Sequence, residues 1–278
     1  MPDWMGNAAS RWQTAGSVPG TSLGTTVTGS ATVNVKGVYT ELSAATAQPA
    51  DVLMLHIGSG STVSTDYLFD LAIGAAGSEV PILMDLQLSG SSSATTAIPA
   101  LSVTLPLSIP AGSRVSARLQ GSVASATLRM VAYLLQGTFA SPQTLGICTT
   151  WGATPATSRG TAMPTGQVGN ADSAKQEFVA STPYPISALM LAFGNQGNGV
   201  RTSGNMLVDV FVGAVGSEVA IINDLMVIIN GTNDLALPLL AGPFPVDIPA
   251  GSRISVGYRA ASGTAATQAH DVAVYGFS

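Results

Sequence analysis

Residues 67–88 read YLFDLAIGAAGSEVPILMDLQL, and residues 206–227 read MLVDVFVGAVGSEVAIINDLMV. Eleven of these 22 positions are identical, and most of the others exchange one apolar side chain for another. The two stretches lie 139 positions apart, half the length of a 278-residue chain. The segment IPAGSR occurs at 109–114 and again at 248–253, with the same separation. A fixed internal period must be read before any fold is assigned. A repeat of this length has the size of a whole domain. The chain is therefore two copies of one folding unit.

Outward from that stretch the offset becomes 136, pairing Glu41 with Glu177 and the LML of 53–55 with the LML of 189–191. Toward the end it becomes 142, pairing Tyr133 with Tyr275, and Trp12 and Trp151 stand near the start of each unit. The offset changes fall in Gly/Ser/Thr-rich stretches, where surface loops accept insertions. This organisation predicts an extended N-terminal arm over 1–30, a first domain over 31–145 and a second over 146–278.

Within each copy, strand signals dominate. Leu101, Val103, Leu105, Leu107 and Ile109 recur at period two, which turns alternate side chains toward a core. Similar short runs occupy 51–57, 67–73, 80–88, 114–119 and 128–135, and the second copy repeats their order. Pro110 with Gly112, and Pro249 with Gly251, supply turn chemistry and predict tight strand-to-strand connections. Pro81 and Pro106 inside strand-like runs point to edge strands or bulges. No long stretch shows capped helical periodicity. The predicted fold is all-β: two tandem antiparallel β-sandwiches of jelly-roll type.

Composition narrows the function. Charged residues make up 9% of the chain, against about 25% in an ordinary soluble domain. Mean hydropathy is +0.39. The strongest apolar run, 235–246, is too short for a membrane helix, is interrupted by prolines and is closed by Asp234 and Asp247. A net charge of −5 and ten dispersed cations do not make a nucleic-acid surface. The N-terminus shows no signal-peptide core, and one cysteine, Cys148, excludes an internal disulfide framework. An uncharged exterior of Ser, Thr, Gly and Ala suits subunit contact. Self-assembly is expected, with a trimer favoured. Trp4, Trp12 and Trp151 are the candidate interface residues.

Catalytic signals are sparse. His56 and His270 have no second histidine at ligand spacing. Gly20-Thr21-Ser22-Leu23-Gly24 fits the hydrolase G-x-S-x-G pattern but lacks the strand–turn–helix frame around it. Asp70 with Asp85, and Asp209 with Asp224, could gather calcium ligands if their strands pair; the preferred reading places them at strand ends or on solvent faces. Asn230-Gly231 reads as a hairpin turn. No enzyme activity, metal or cofactor is expected. Glu79 with Arg114, and Glu218 with Arg253, recur 35 positions apart in both copies. They are expected to tie two turns at one end of each sandwich through a bidentate Arg–carboxylate pair, with Gly112 and Gly251 in the turns.

The runs LPLSIPAGSRVSARLQ (105–120) and FPVDIPAGSRISVGYR (244–259), set in a lysine-poor, Ser/Thr/Gly/Ala-rich β protein, resemble virion structural proteins of tailed bacteriophages. The resemblance implies capsid decoration or cement, or a head-fibre component, assembled in the host cytoplasm and bound to other virion proteins such as the capsid. A tandem jelly-roll major capsid protein is one alternative. A carbohydrate- or receptor-binding module is the other.

Overall fold

The computed structural model describes residues 12–18, 20, 23–58, 65–89, 101–136, 147–163, 172–195, 204–230, 235–260 and 270–278. These form twenty strands and no α-helix. The first unit holds β1 (Trp12–Ala15), β2 (Ser17–Val18), β3 (Leu23–Thr28), β4 (Thr40–Ser43), β5 (Val52–Gly58), β6 (Asp66–Ile73), β7 (Val80–Ser89), β8 (Leu101–Leu105), β9 (Val115–Gly121) and β10 (Thr127–Leu135). The second holds β11 (Cys148–Trp151), β12 (Thr161–Ala162), β13 (Gln176–Val179), β14 (Ile186–Asn195), β15 (Gly204–Val212), β16 (Val219–Asn230), β17 (Leu235–Leu237), β18 (Leu240–Ile248), β19 (Ile254–Ala260) and β20 (His270–Phe277).

The duplication extends to topology. In the first unit one sheet runs β3-β10-β5-β8, with β1 also on β10, and the other runs β4-β9-β6-β7. In the second unit one sheet runs β11-β20-β14-β18, with β12 also on β20, and the other runs β13-β19-β15-β16-β17. Counting β1 with β3, and β11 with β12, as one interrupted first strand, both units have the order 1-8-3-6 over 2-7-4-5. All pairings are antiparallel. This is the eight-stranded, double Greek-key jelly roll. Alternation builds the first core: Leu128, Met130, Ala132 and Leu134 point in along β10, and Leu53, Leu55 and Ile57 stand beside them on β5.

Three expectations are corrected. Residues 12–28 do not form an arm outside the first sandwich: β1 and β3 pair with β10, and Ala15 and Val27 lie in the core. The run 101–109 is not one strand, because β8 stops before Pro106 and Ile109 makes an isolated bridge to Ala50. The IPAGSR segments do not join paired strands; each crosses from one sheet to the other. A buried threonine holds each crossing. Thr46 donates its N–H to Ser113 O and accepts from Gly112 N–H, both near 2.8–2.9 Å, and Thr182 does the same with Ser252 and Gly251. Gly112 and Gly251 sit at φ 75° and 82°, a region that costs a residue with a Cβ.

Candidate assembly interface

The two units join edge to face. β7 ends its sheet, so one row of its backbone groups has no strand beside it. That row lies against the outer face of the β11-β20-β14 sheet. The Tyr275 hydroxyl accepts from Gln87 N–H and donates to Asp85 O, both at 2.8 Å. The Thr150 hydroxyl caps Met84 O. Ala188, Met190 and Ala192 of β14, with Ala273, Tyr275 and Phe277 of β20, thereby enter one continuous cluster with the first unit's core. An exposed strand edge is an aggregation liability; here the second unit covers it.

A polar rim surrounds this seam. The segment 152–160, between β11 and β12, reaches back to the first unit. Arg159 Nε lies 2.6 Å from Asp66 Oδ2, Ser158 Oγ donates to Asn34 Oδ1 at 2.8 Å, and Gln120 Nε2 donates to Ser158 Oγ at 3.1 Å and to Pro155 O. Gly160 N–H donates to Asp271 Oδ2 at 2.8 Å. A Cβ on Gly160 would meet Gln87 Oε1 at 2.3 Å, so only glycine fits there.

Register identifies the matching face of the first unit. Tyr133 pairs with Met54 as Tyr275 pairs with Met190, and Leu135 pairs with Val52 as Phe277 pairs with Ala188. Val131 stands where Ala273 stands, His56 where Ala192 stands, and Trp12 where Cys148 stands. On the second unit this platform is buried. On the first it is half-open: Val52, Met54, Val131, Tyr133 and Leu135 are partly exposed and Trp12 is 54% exposed. The Trp12 ring lies 6.0 Å from Tyr133, and His56 packs edge-on to Tyr133 at 4.9 Å. In the second unit β16, which β17 covers only at Ile228–Asn230, carries exposed Val219, Met226 and Ile228. Met226 occupies the register position of Gln87, and Asp224 that of Asp85, both aspartates at φ near 54°.

The predicted tryptophans separate accordingly. Trp12 stands on the open face. Trp151 packs against the second core and is not its structural counterpart, since the β11 register places Trp151 opposite Val274, the position Ala15 holds opposite Ala132. Trp4 lies outside the described residues.

Each arginine of the duplicated Glu–Arg motif divides its donors. Arg114 Nη1 lies 3.1 Å from Glu79 Oε1, while Nε reaches Glu41 Oε2 at 2.8 Å. Arg253 repeats this with Glu218 at 3.1 Å and Glu177 at 2.6 Å. The expected bidentate grip on one carboxylate is thus replaced by a bridge between two, and each Nη1 also approaches the first turn carbonyl, Gly74 O or Gly213 O, at 3.4 Å. The Glu79 carboxyl is held below the usual range by its own backbone N–H, with Arg114 and Gly77 N–H adding to it. Glu218 is lowered likewise by its own N–H, then by Lys175 and Gly216 N–H.

The paired aspartates are corrected as well. Asp70 is 1% exposed, and its Oδ1 accepts from Asp85 N–H at 2.8 Å, fixing the left-handed bulge at Asp85. Lys36 Nζ lies 2.6 Å from both Asp70 and Asp85, and Arg118 Nε lies 2.7 Å from Asp70. A side-chain ammonium thus stands between the two carboxylates that could have gathered calcium ligands. In the second unit Asp209 caps Asp224 N–H, and Arg259 contacts Asp209, Asp224 and Asp172. Among the described residues no three His, Cys, Asp or Glu side chains gather as a metal site, and no helix is long and apolar enough to cross a membrane. His56 lies on the open face and His270 is buried against Tyr258. Burial pushes the Cys148 thiol up to about 12, so it is no thiolate nucleophile at neutral pH. Thr21 and Ser22 of the G-x-S-x-G segment lie outside the described residues.

No family model matches the chain, and no curated protein is similar to it. Solved structures of similar shape exist. One is the structure of Sulfolobus Turreted Icosahedral Virus, 11% identical with a TM-score of 0.38, covering 96% of this chain and 90% of that one. Another is PNGase F, a glycosylasparaginase from Flavobacterium meningosepticum, 10% identical with a TM-score of 0.35, covering 98% and 91%. A third, PNGF-II, is 7% identical with a TM-score of 0.39, and this chain spans 66% of its length. The similar structures thus include a virus and an enzyme. The expectation that the chain is not an enzyme is withdrawn on this finding.

Proposed function

We propose that this chain is a tandem jelly-roll capsid subunit of a virus, which assembles by repeating between chains the join it makes within itself. The open face of the first unit takes the β16 edge of a neighbouring copy, as the second unit takes β7. Tyr133 then caps the backbone at Asp224 and Met226 as Tyr275 caps Asp85 and Gln87. Such a join is heterologous, and closure after three chains gives a ring of six jelly rolls. The setting that the sequence resemblance implies is a bacteriophage particle assembled in the host cytoplasm. A capsid building block replaces the decoration role as the preferred reading, because both of its joining surfaces are accounted for by one chain.

The single observation behind this reading is the residue-by-residue match of the exposed Tyr133–Met54 platform to the buried Tyr275–Met190 platform. Low charge and exposed apolar side chains on β16 support it. Sedimentation velocity tests it: the expected species is a trimer, and a monomer dispersed at high concentration overturns it.

A second reading is a sugar-binding platform. Exposed Trp12 borders a shallow hollow that Gln13, Gln48 and Gln136 also line. Saturable binding to one glycan, abolished by Trp12→Ala, would favour it over assembly.

A further inference from the structure

At the seam, Gln87 of the first unit and Asp271 of the second are both buried, at 0% and 1% exposure. Gln87 Nε2 donates to Asp271 Oδ2 at 3.0 Å. Each side chain keeps one buried oxygen without a donor, Gln87 Oε1 and Asp271 Oδ1. A single hydrogen carried by the carboxyl and shared with the amide oxygen would satisfy both orphan acceptors. Leaving either unpaired in the interior is costly.

We propose that Asp271 is held as a neutral carboxylic acid and forms with Gln87 a two-hydrogen-bond acid–amide clamp that locks the two jelly rolls together and opens on deprotonation. Gln87 Nε2–H donates to Oδ2, and the proton on Oδ1 is donated to Gln87 Oε1. Loss of that proton puts a charge in the seam and removes the only donor the two oxygens share.

The surroundings favour the proton. Burial, and after it the Asp66 carboxylate of β6, raise the Asp271 carboxyl to about 7 against the opposing Gly160 N–H and Arg159. Arg159 is engaged by Asp66 at 2.6 Å. Asp85 on β7 is held by Lys36. On its own strand, Asp271 has as neighbours His270, packed on the Tyr258 ring, and Tyr275, whose hydroxyl is bound to β7. The clamp is peculiar to the internal seam: register puts Arg129 in the place of Asp271 and Met226 in the place of Gln87. It therefore acts within one chain, whether or not copies assemble.

The sign follows from linkage. The folded chain binds this proton more tightly than the unfolded chain, so the contribution is full below the ordinary carboxylate value and is lost as pH rises through about 7. Asp271→Asn is the neutral mimic, with an amide donor where the acid proton stood. Urea unfolding of the full chain between pH 4.5 and 8.5 is expected to show the wild-type folding constant falling by up to about tenfold per pH unit relative to Asp271→Asn. Parallel profiles for the two proteins overturn the clamp. Should Asp271→Asn not fold, carboxyl carbon NMR of the wild type decides: titration near neutral pH supports the clamp, and titration in the ordinary aspartate range refutes it. Sedimentation of the same samples reports assembly separately.

Discussion

Tyr275, in the last strand of the second jelly roll, binds the edge of the first at Gln87, 188 residues away, with its hydroxyl 2.8 Å from the Gln87 backbone nitrogen. The same oxygen donates to Asp85 O. One side chain thus substitutes for the missing neighbour of an edge strand, and the covering surface is the chain's own second copy.

Tyr275→Phe keeps the ring and removes both hydrogen bonds. The Gln87 N–H and Asp85 C=O are left buried and unpaired, at a cost of about 1–3 kcal/mol. Denaturant unfolding should show a lower midpoint with an unchanged slope. A variant as stable as wild type would show that the edge is held by apolar contact alone.

Asp70 organises the bulge and two cations, so Asp70→Ala takes away Arg118's carboxylate, leaves Lys36 on Asp85 alone and leaves the Asp85 N–H with no acceptor. The unpaired backbone N–H alone costs about 1–3 kcal/mol. Calorimetry should place Asp70→Ala well below Arg118→Ala, whose removal leaves Lys36 on the same carboxylate.

Acid should act on the duplicated turn networks. Glu79 and Glu218 have lowered carboxyl values in the folded chain, so their contribution exists above the unfolded-state value, about 4.3, and is lost as pH falls through the folded values. Thermal melts between pH 6 and pH 3 should therefore fall more steeply for wild type than for Glu79→Gln/Glu218→Gln. Equal slopes would remove these carboxylates from the acid response.

Tyr133→Asp places a charge at the centre of the open platform without touching either core. The monomer should fold with unchanged circular dichroism, and the assembled species should disappear in sedimentation. Ala111→Asp, in the exposed turn that crosses between the two sheets, is the control.

Much of the fold was legible because duplication and period two are carried by side chains that cores select. The equivalence of Glu79–Arg114 with Glu218–Arg253 was visible for the same reason, although the sharing of each arginine with Glu41 or Glu177 depends on how β4 and β13 lie beside β9 and β19. The seam was not legible. Gln87 and Asp271 lie 184 positions apart and have no like counterparts in the other unit, where Met226 and Arg129 stand. Asp70 looked like a solvent-facing aspartate because a lone carboxylate in an apolar run does not reveal a lysine 34 residues earlier. Trp12 and Trp151 seemed equivalent at the general offset, but the local register shifts Trp12 onto the position of Cys148.

Electron cryo-microscopy of the assembled protein tests the central claim most directly. The account predicts the β16 edge of one copy lying across β5 and β10 of the next, with the Tyr133 hydroxyl within hydrogen-bond distance of Asp224 O. Copies that meet through other surfaces, with the Tyr133 platform left facing solvent, would contradict it.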